Sequence, residues 1–97
     1  AEKVNLRGNE INDIYCFQTM HAVRELDLSD NNIGDITAIS YLDNLEVLDL
    51  SNNEISYLTP LYMLPNLKEV HLGGNNVDSY QLQELQVYQP ELKIYSD

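Results

Sequence analysis

The chain of 97 residues is poor in several things at once: it has one cysteine, no tryptophan, one phenylalanine and only five Lys or Arg. A single cysteine, Cys16, rules out an internal disulfide, the usual staple of small secreted domains. It has no neighbouring Cys or paired His, so it reads as a small buried or half-buried hydrophobe rather than a metal or catalytic group. Five bases against sixteen Asp or Glu leave a net charge of −11. Nucleic-acid phosphates need a basic footprint, so that class of partner is excluded, and anionic membrane surfaces go with it. No apolar run reaches the roughly 18 residues that a membrane-spanning helix needs. The opening "AEKVNLRGNE" has no apolar signal-peptide stretch and begins with Ala, as a mature form or an excised fragment would.

What is present is regularity. "LRGNEI" (6–11), "LSDNNI" (28–33), "LSNNEI" (50–55) and "LGGNNV" (72–77) recur every 22 residues without drift. Leu6, Leu28, Leu50 and Leu72 form one column, Asn9, Asn31, Asn53 and Asn75 a second, and Ile11, Ile33, Ile55 and Val77 a third. Val4, Leu26, Leu48, Val70 and Leu92 form a fourth, and Ile94 continues the Leu6 column. Between these blocks runs an apolar comb of period three: Ile33, Ile36, Ile39, Leu42 and Leu45 in one unit, and Ile55, Leu58, Leu61, Leu64 and Leu67 in the next. Ile11, Ile14, Phe17, Met20 and Val23 do the same in the first. A period of three is neither helical nor strand-like and suits 3₁₀ or extended backbone. The spacing of two in Leu26 and Leu28 predicts a short strand. One such unit cannot bury its own teeth, but stacked units can.

The pattern L-x-x-L-x-L-x-x-N-x-I, read here as "VRELDLSDNNI" (23–33) with Val at its first position, resembles the leucine-rich repeat, and the resemblance covers essentially the whole chain. It implies an α/β solenoid: a right-handed superhelix with a short parallel sheet on its concave side and 3₁₀ or extended limbs on its convex side. A single domain, 1–97, is expected, with repeats at about 4–25, 26–47, 48–69 and 70–91 and a terminal strand at 92–97. The segment 31–70, with Asp35-Ile36 and Pro60-Leu61, looks like the units of bacterial internalins; a class exemplified by a phosphatase regulatory subunit has the same length.

The asparagine column now has a reason. The turn after each strand points backbone N–H and C=O groups inward, and each would cost about 1–3 kcal/mol if left unpaired. One carboxamide supplies both donor and acceptor, so Asn9, Asn31, Asn53 and Asn75 are expected to form a structural ladder, each bonding its own turn and the next. The fourth unit departs from the comb. Tyr80 keeps it, but Gln83, Gln86 and Gln89 take the following slots, while Leu82, Leu85 and Tyr88 are apolar. "YQLQELQVY" (80–88), with Asp78 or Ser79 to cap it and Pro90 to stop it, predicts a C-terminal α-helix. "PELKIYSD" (90–97) predicts a fifth strand that closes the stack.

Residues between the inward leucines must point onto the concave face. The even spacing sorts them into Lys3, Glu25, Val47, Glu69, Glu91; Asn5, Asp27, Asp49, His71, Lys93; and Arg7, Ser29, Ser51, Gly73, Tyr95. Family resemblance implies that such a face binds proteins. The candidate site is Glu25, Asp27, Val47, Asp49, Glu69, His71, Lys93 and Tyr95, acidic in the middle and suited to a basic protein partner. Tyr15, Tyr41, Tyr57 and Tyr62 fall off the comb and are expected to be partly exposed, on a lateral or convex interface or along the sides of the limbs. His21 and His71 are too far apart in the repeat to share a metal, and Asp30, Asp35 and Asp49 do not match a calcium loop. No catalytic constellation or phosphate loop is legible. The expectation is a non-catalytic binding module without cofactors, its setting extracellular or on a cell surface rather than cytoplasmic. Two other readings stay open: a regulatory or targeting piece of an enzyme assembly, and a scaffold that self-associates through an open N-terminal sheet edge.

Overall fold

A computed structural model describes residues 2–96; Ala1 and Asp97, at the two ends of the expected domain, lie outside the described residues. Five three-residue strands, β1 (Lys3–Asn5), β2 (Glu25–Asp27), β3 (Val47–Asp49), β4 (Glu69–His71) and β5 (Lys93–Tyr95), form one parallel sheet in sequence order. The return limbs carry the 3₁₀ turns η1 (Tyr15–Thr19), η2 (Thr37–Tyr41) and η3 (Thr59–Leu61), and the last limb carries the helix α1 (Ser79–Tyr88). The molecule is a solenoid of stacked coils, 31 × 25 × 18 Å.

The core is the comb. Ile33, Ile36, Ile39, Leu42 and Leu45 are buried, as are Ile55, Leu58, Leu61, Leu64 and Leu67. Each coil completes its neighbour's interior, which is the only way so thin a unit removes its apolar area from water. The first coil is covered on one side only: Ile14 and Val23 are buried, while Ile11, Phe17 and Met20 are partly exposed. Cys16, expected to be buried or half-buried, is exposed for the same reason. Its register mate Ala38, one coil further in, is buried.

The sharp turn leaving each strand needs left-handed backbone. Gly8 (φ 70°), Asp30 (57°), Asn52 (59°) and Gly74 (73°) hold it, one per coil at a spacing of 22. They are the residue types that tolerate this region. At Gly74 an added Cβ would also run into the Asn52 side chain and sit 3.2 Å from the Asn52 Cα.

The helix changes the register of the last strand. Leu48 pairs with Val70, 22 residues on, but Val70 pairs with Ile94, 24 residues on. A ten-residue helix uses more chain than a 3₁₀ turn, so Ile94 continues the Val4 column rather than the Leu6 column. Tyr80, expected on the comb, is exposed because a helical turn swings Leu82 and Leu85 inward instead. Tyr88 remains half exposed but stacks on Tyr62, with ring centroids 4.6 Å apart. Tyr62, expected to be partly exposed, is therefore buried under α1, where its hydroxyl donates to Glu84 Oε1 at 2.6 Å. That burial, with the carboxylate beside it, pushes the Tyr62 phenol well above its ordinary range.

Candidate partner-binding surface

Strand pairing sets the columns of the sheet face. Lys3, Glu25, Val47, Glu69 and Lys93 lie side by side in one, and Asn5, Asp27, Asp49, His71 and Tyr95 in the other. The 24-residue step removes Glu91 from the first column and places Lys93 there. It also sets Tyr95 beside His71 instead of in a third column. Glu25 and Glu69 therefore flank Val47 in the first column, with a lysine at each end. A shallow hollow of about 380 Å³ lies over the N-terminal four strands, lined by Lys3, Glu25, Asp27, Val47, Asp49 and His71 among others.

The carboxylates on this face are not equivalent. Asp27 Oδ1 accepts from Ser29 N at 3.0 Å and Ser29 Oγ at 2.6 Å. Asp49 Oδ1 accepts from Ser51 N at 3.0 Å and from the Ser51 hydroxyl. One oxygen of each thus pins the strand exit, leaving the other without a hydrogen-bond partner among the described residues. Glu25 meets Lys3 Nζ at 3.6 Å, an exposed pair of little energetic weight. Glu69 Oε2 lies 2.6 Å from His71 Nε2, and the His71 ring stacks on Tyr95 at 4.7 Å and 10°. The half-buried His71 is held by its neighbours on both sides.

Beneath the face run the amides. Asn53 Nδ2 donates to the carbonyls of Leu28, Leu50 and Ser51, and its Oδ1 accepts from Ile33 N. Asn31 serves Leu6, Leu28 and Ser29 and accepts from Asn9 N and Ile11 N. Asn75 serves Leu50, Leu72 and Gly73 and accepts from Ile55 N. Each amide bonds its own turn and the preceding coil, not the following one. Asn9 stands apart: it is exposed, and its amide reaches only Arg7 O. Among the described residues, no buried side-chain polar atom lacks a partner.

Two further sets were not foreseen. At the entry to the strands, Asn44 Nδ2 donates to His21 O at 2.7 Å and Asn66 Nδ2 to Asp43 O at 2.8 Å, forming a second amide row at the opposite corner. In the last coil, Gln89 Nε2 bonds Leu61 O and Leu64 O from outside the α-helix. The register of "LDNL" (42–45) and "LPNL" (64–67) carried that signal. Along the strand-exit turns, Asp30 accepts from Arg7 Nε at 2.8 Å and Asn52 Nδ2 at 2.7 Å. The Asn52 bond, then Arg7, hold the Asp30 carboxyl below its ordinary range, and Asp30 raises Arg7 in return. On the limbs, Tyr15, Tyr41 and Tyr57 are exposed, as is His21. No group of three or more His, Cys, Asp or Glu converges among the described residues, and no helix there is long and apolar enough to cross a membrane.

A stack of three-residue parallel strands, 3₁₀ returns and an inward amide column defines a leucine-rich-repeat solenoid. Family models agree: one described as "Leucine Rich repeats (2 copies)" matches residues 43–87, and one described as "Leucine Rich repeat" matches residues 20–39. Internalin C2 of Listeria monocytogenes superposes with a TM-score of 0.63 at 25% identity, covering 87% of this chain and 47% of that one. The internalin inlF of the same organism gives 0.55 at 23% identity, covering 89% of this chain and 31% of that one. The chain spans less than half the length of either. No curated protein matches its sequence. The chain belongs to the leucine-rich repeat proteins and is of the internalin-like type, a fold that serves in general as a protein-interaction module.

Proposed function

We propose that the chain is a non-catalytic module that holds a protein partner on the concave face of its sheet, in a bacterial surface or secreted setting. The observation that carries this reading is the hollow over β1–β4, where three carboxylates and Val47 are presented by a sheet fixed by backbone hydrogen bonds. Side chains on such a frame lose little entropy when they are covered. The chemistry favours a basic segment: Asp27 and Asp49 each keep one carboxylate oxygen without a partner among the described residues, with Glu25 and Glu69 beside them. Lys3 and Lys93 at the ends limit how far such a segment extends. His71 and Tyr95 offer a flat aromatic rim at the C-terminal side. Two internalins are among the solved neighbours, which supports the bacterial setting.

Val47 is the residue to change, because it lies mid-face and holds no turn. Val47→Arg should abolish retention of whatever protein the immobilised parent chain captures specifically, with an unchanged circular-dichroism melt. Removing charge with Asp27→Asn/Asp49→Asn keeps the acceptor oxygens for Ser29 and Ser51 and should weaken the same capture. Retention of every specific partner by both variants would exclude the concave face as the site.

A further inference from the structure

The limbs carry a feature that neither the core nor the sheet face uses. Two grooves run in series between successive 3₁₀ turns. One, of about 430 Å³, lies between η1 and η2 and is lined by Asp13, Tyr15, Asp35 and Tyr41 among others. The next, of about 680 Å³, lies between η2 and η3 and is lined by Asp35, Thr37, Tyr57 and Pro60 among others. They share Asp35 and Thr37 and so form one track. Its aromatic rings stand out in solvent: Tyr15 is 71% exposed, Tyr57 68% and Tyr41 52%.

The repeat supplies its own control on those rings. The register of Tyr15 is held by Thr37 and Thr59 in later coils, and that of Tyr41 by Thr19 and Met63. Tyr57 stands where Asp13 and Asp35 stand in the coils before it. The same turn forms without a tyrosine, so folding does not call for one. The acids are similarly underused. Asp13 Oδ1 accepts from Tyr15 N and Asp35 Oδ1 from Thr37 N, both at 2.9 Å, which leaves Oδ2 of each without a partner among the described residues. No Lys or Arg occurs between Arg24 and Lys68, so this side of the stack has acid and aromatic surface with no base of its own.

We propose that this lateral track is a second docking surface, for an extended arginine-bearing segment of a protein partner, with guanidinium groups stacked on Tyr15, Tyr41 and Tyr57 and paired with Asp13 and Asp35. Arginine fits better than lysine because its planar cation stacks on a ring while its edge bonds a carboxylate. Charge complementarity excludes anionic occupants. The track shares no residue with the sheet face, so either surface stands if the other fails.

An octa-arginine peptide at physiological salt is the probe. Tyr15→Thr/Tyr41→Thr/Tyr57→Ser keeps the net charge and puts into each site the type of small polar residue the repeat already tolerates in such turns. It should weaken binding by about tenfold or more, as three lost cation–π contacts require. Asp13→Asn/Asp35→Asn and Asp27→Asn/Asp49→Asn remove equal charge from the two faces and retain the acceptor oxygens. The first pair should weaken the probe's effect on the limbs, and the second should leave that effect unchanged. Amide chemical-shift changes should fall on residues 13–18, 35–41 and 56–60. Unchanged binding by the tyrosine variant, unchanged shifts on the limbs in Asp13→Asn/Asp35→Asn, or shifts confined to the strands would each overturn the proposal.

Discussion

Asn53 is 7% exposed and closes four hydrogen bonds between two turns. Replacing it by alanine strands the Ile33 N–H in the interior, at about 1–3 kcal/mol for a group left unpaired, while the Leu28, Leu50 and Ser51 carbonyls each lose one of two donors and keep Asn31 Nδ2, Asn75 Nδ2 and Asp30 N respectively. Asn53→Ala should therefore lower stability by about 2 kcal/mol in urea denaturation. Asn9→Ala, at the same register but in solvent, should change it by less than about 0.5 kcal/mol. Equal losses would mean that the amides stabilise their own turn and do not couple coils. At this scale the asparagine column was visible in the sequence because hydrogen-bond need and spacing agree. Its direction was not, because a 22-residue period is the same read forwards or backwards. The exposure of Cys16 was also hidden: its side chain occupies the register of buried Ala38 but lacks a coil on one side.

The helix α1 is the one element that leaves the repeat. Asp78 caps it, accepting from Gln81 N at 2.8 Å, and Leu85 anchors it in the core. Asp78→Ala should cost about 1 kcal/mol, the usual cost of losing an N-cap, and a matching downward shift of the thermal midpoint checks it. No loss would mean that packing of Leu82 and Leu85 alone holds the helix. Capping residue, helix formers and a terminating proline made the element legible. Its consequences were not. The two extra residues it consumes decide that Lys93 faces Glu69 and that Tyr95 stacks on His71. The lid it forms decides that Tyr62 is buried. Both depend on how far a helix reaches in space, which a column drawn at constant spacing cannot express.

Across the whole molecule, stability is a sum over coils and the contacts between neighbours. The ion pairs follow that geometry: Lys3–Glu25, Arg7–Asp30, Arg24–Glu46 and Lys68–Glu46 each link adjacent coils, each with an exposed base. They contribute little singly, so the gradient of burial sets the gradient of stability. The first coil has the least covered comb. Leu6 N bonds Asp27 O and Leu28 N bonds Asp49 O, both at 2.8 Å. Despite equal bonds, the Leu6 amide should exchange with solvent deuterium markedly faster than the Leu28 amide, because the first coil opens without the second. Identical protection would mean that the stack opens as one unit.

By itself the sequence determined the coil: its 22-residue length, its inward leucines and asparagines, the class of fold and the acidic balance. These are local or periodic properties, and a period constrains every copy alike. Only the tertiary structure decided what differs between copies. It set which end of the comb is thin, which strand shifts its register, which tyrosine is covered and which stand free, and how the second amide row closes the far corner. Those outcomes follow from each coil's neighbours in space, and a neighbour is supplied by stacking rather than by spacing.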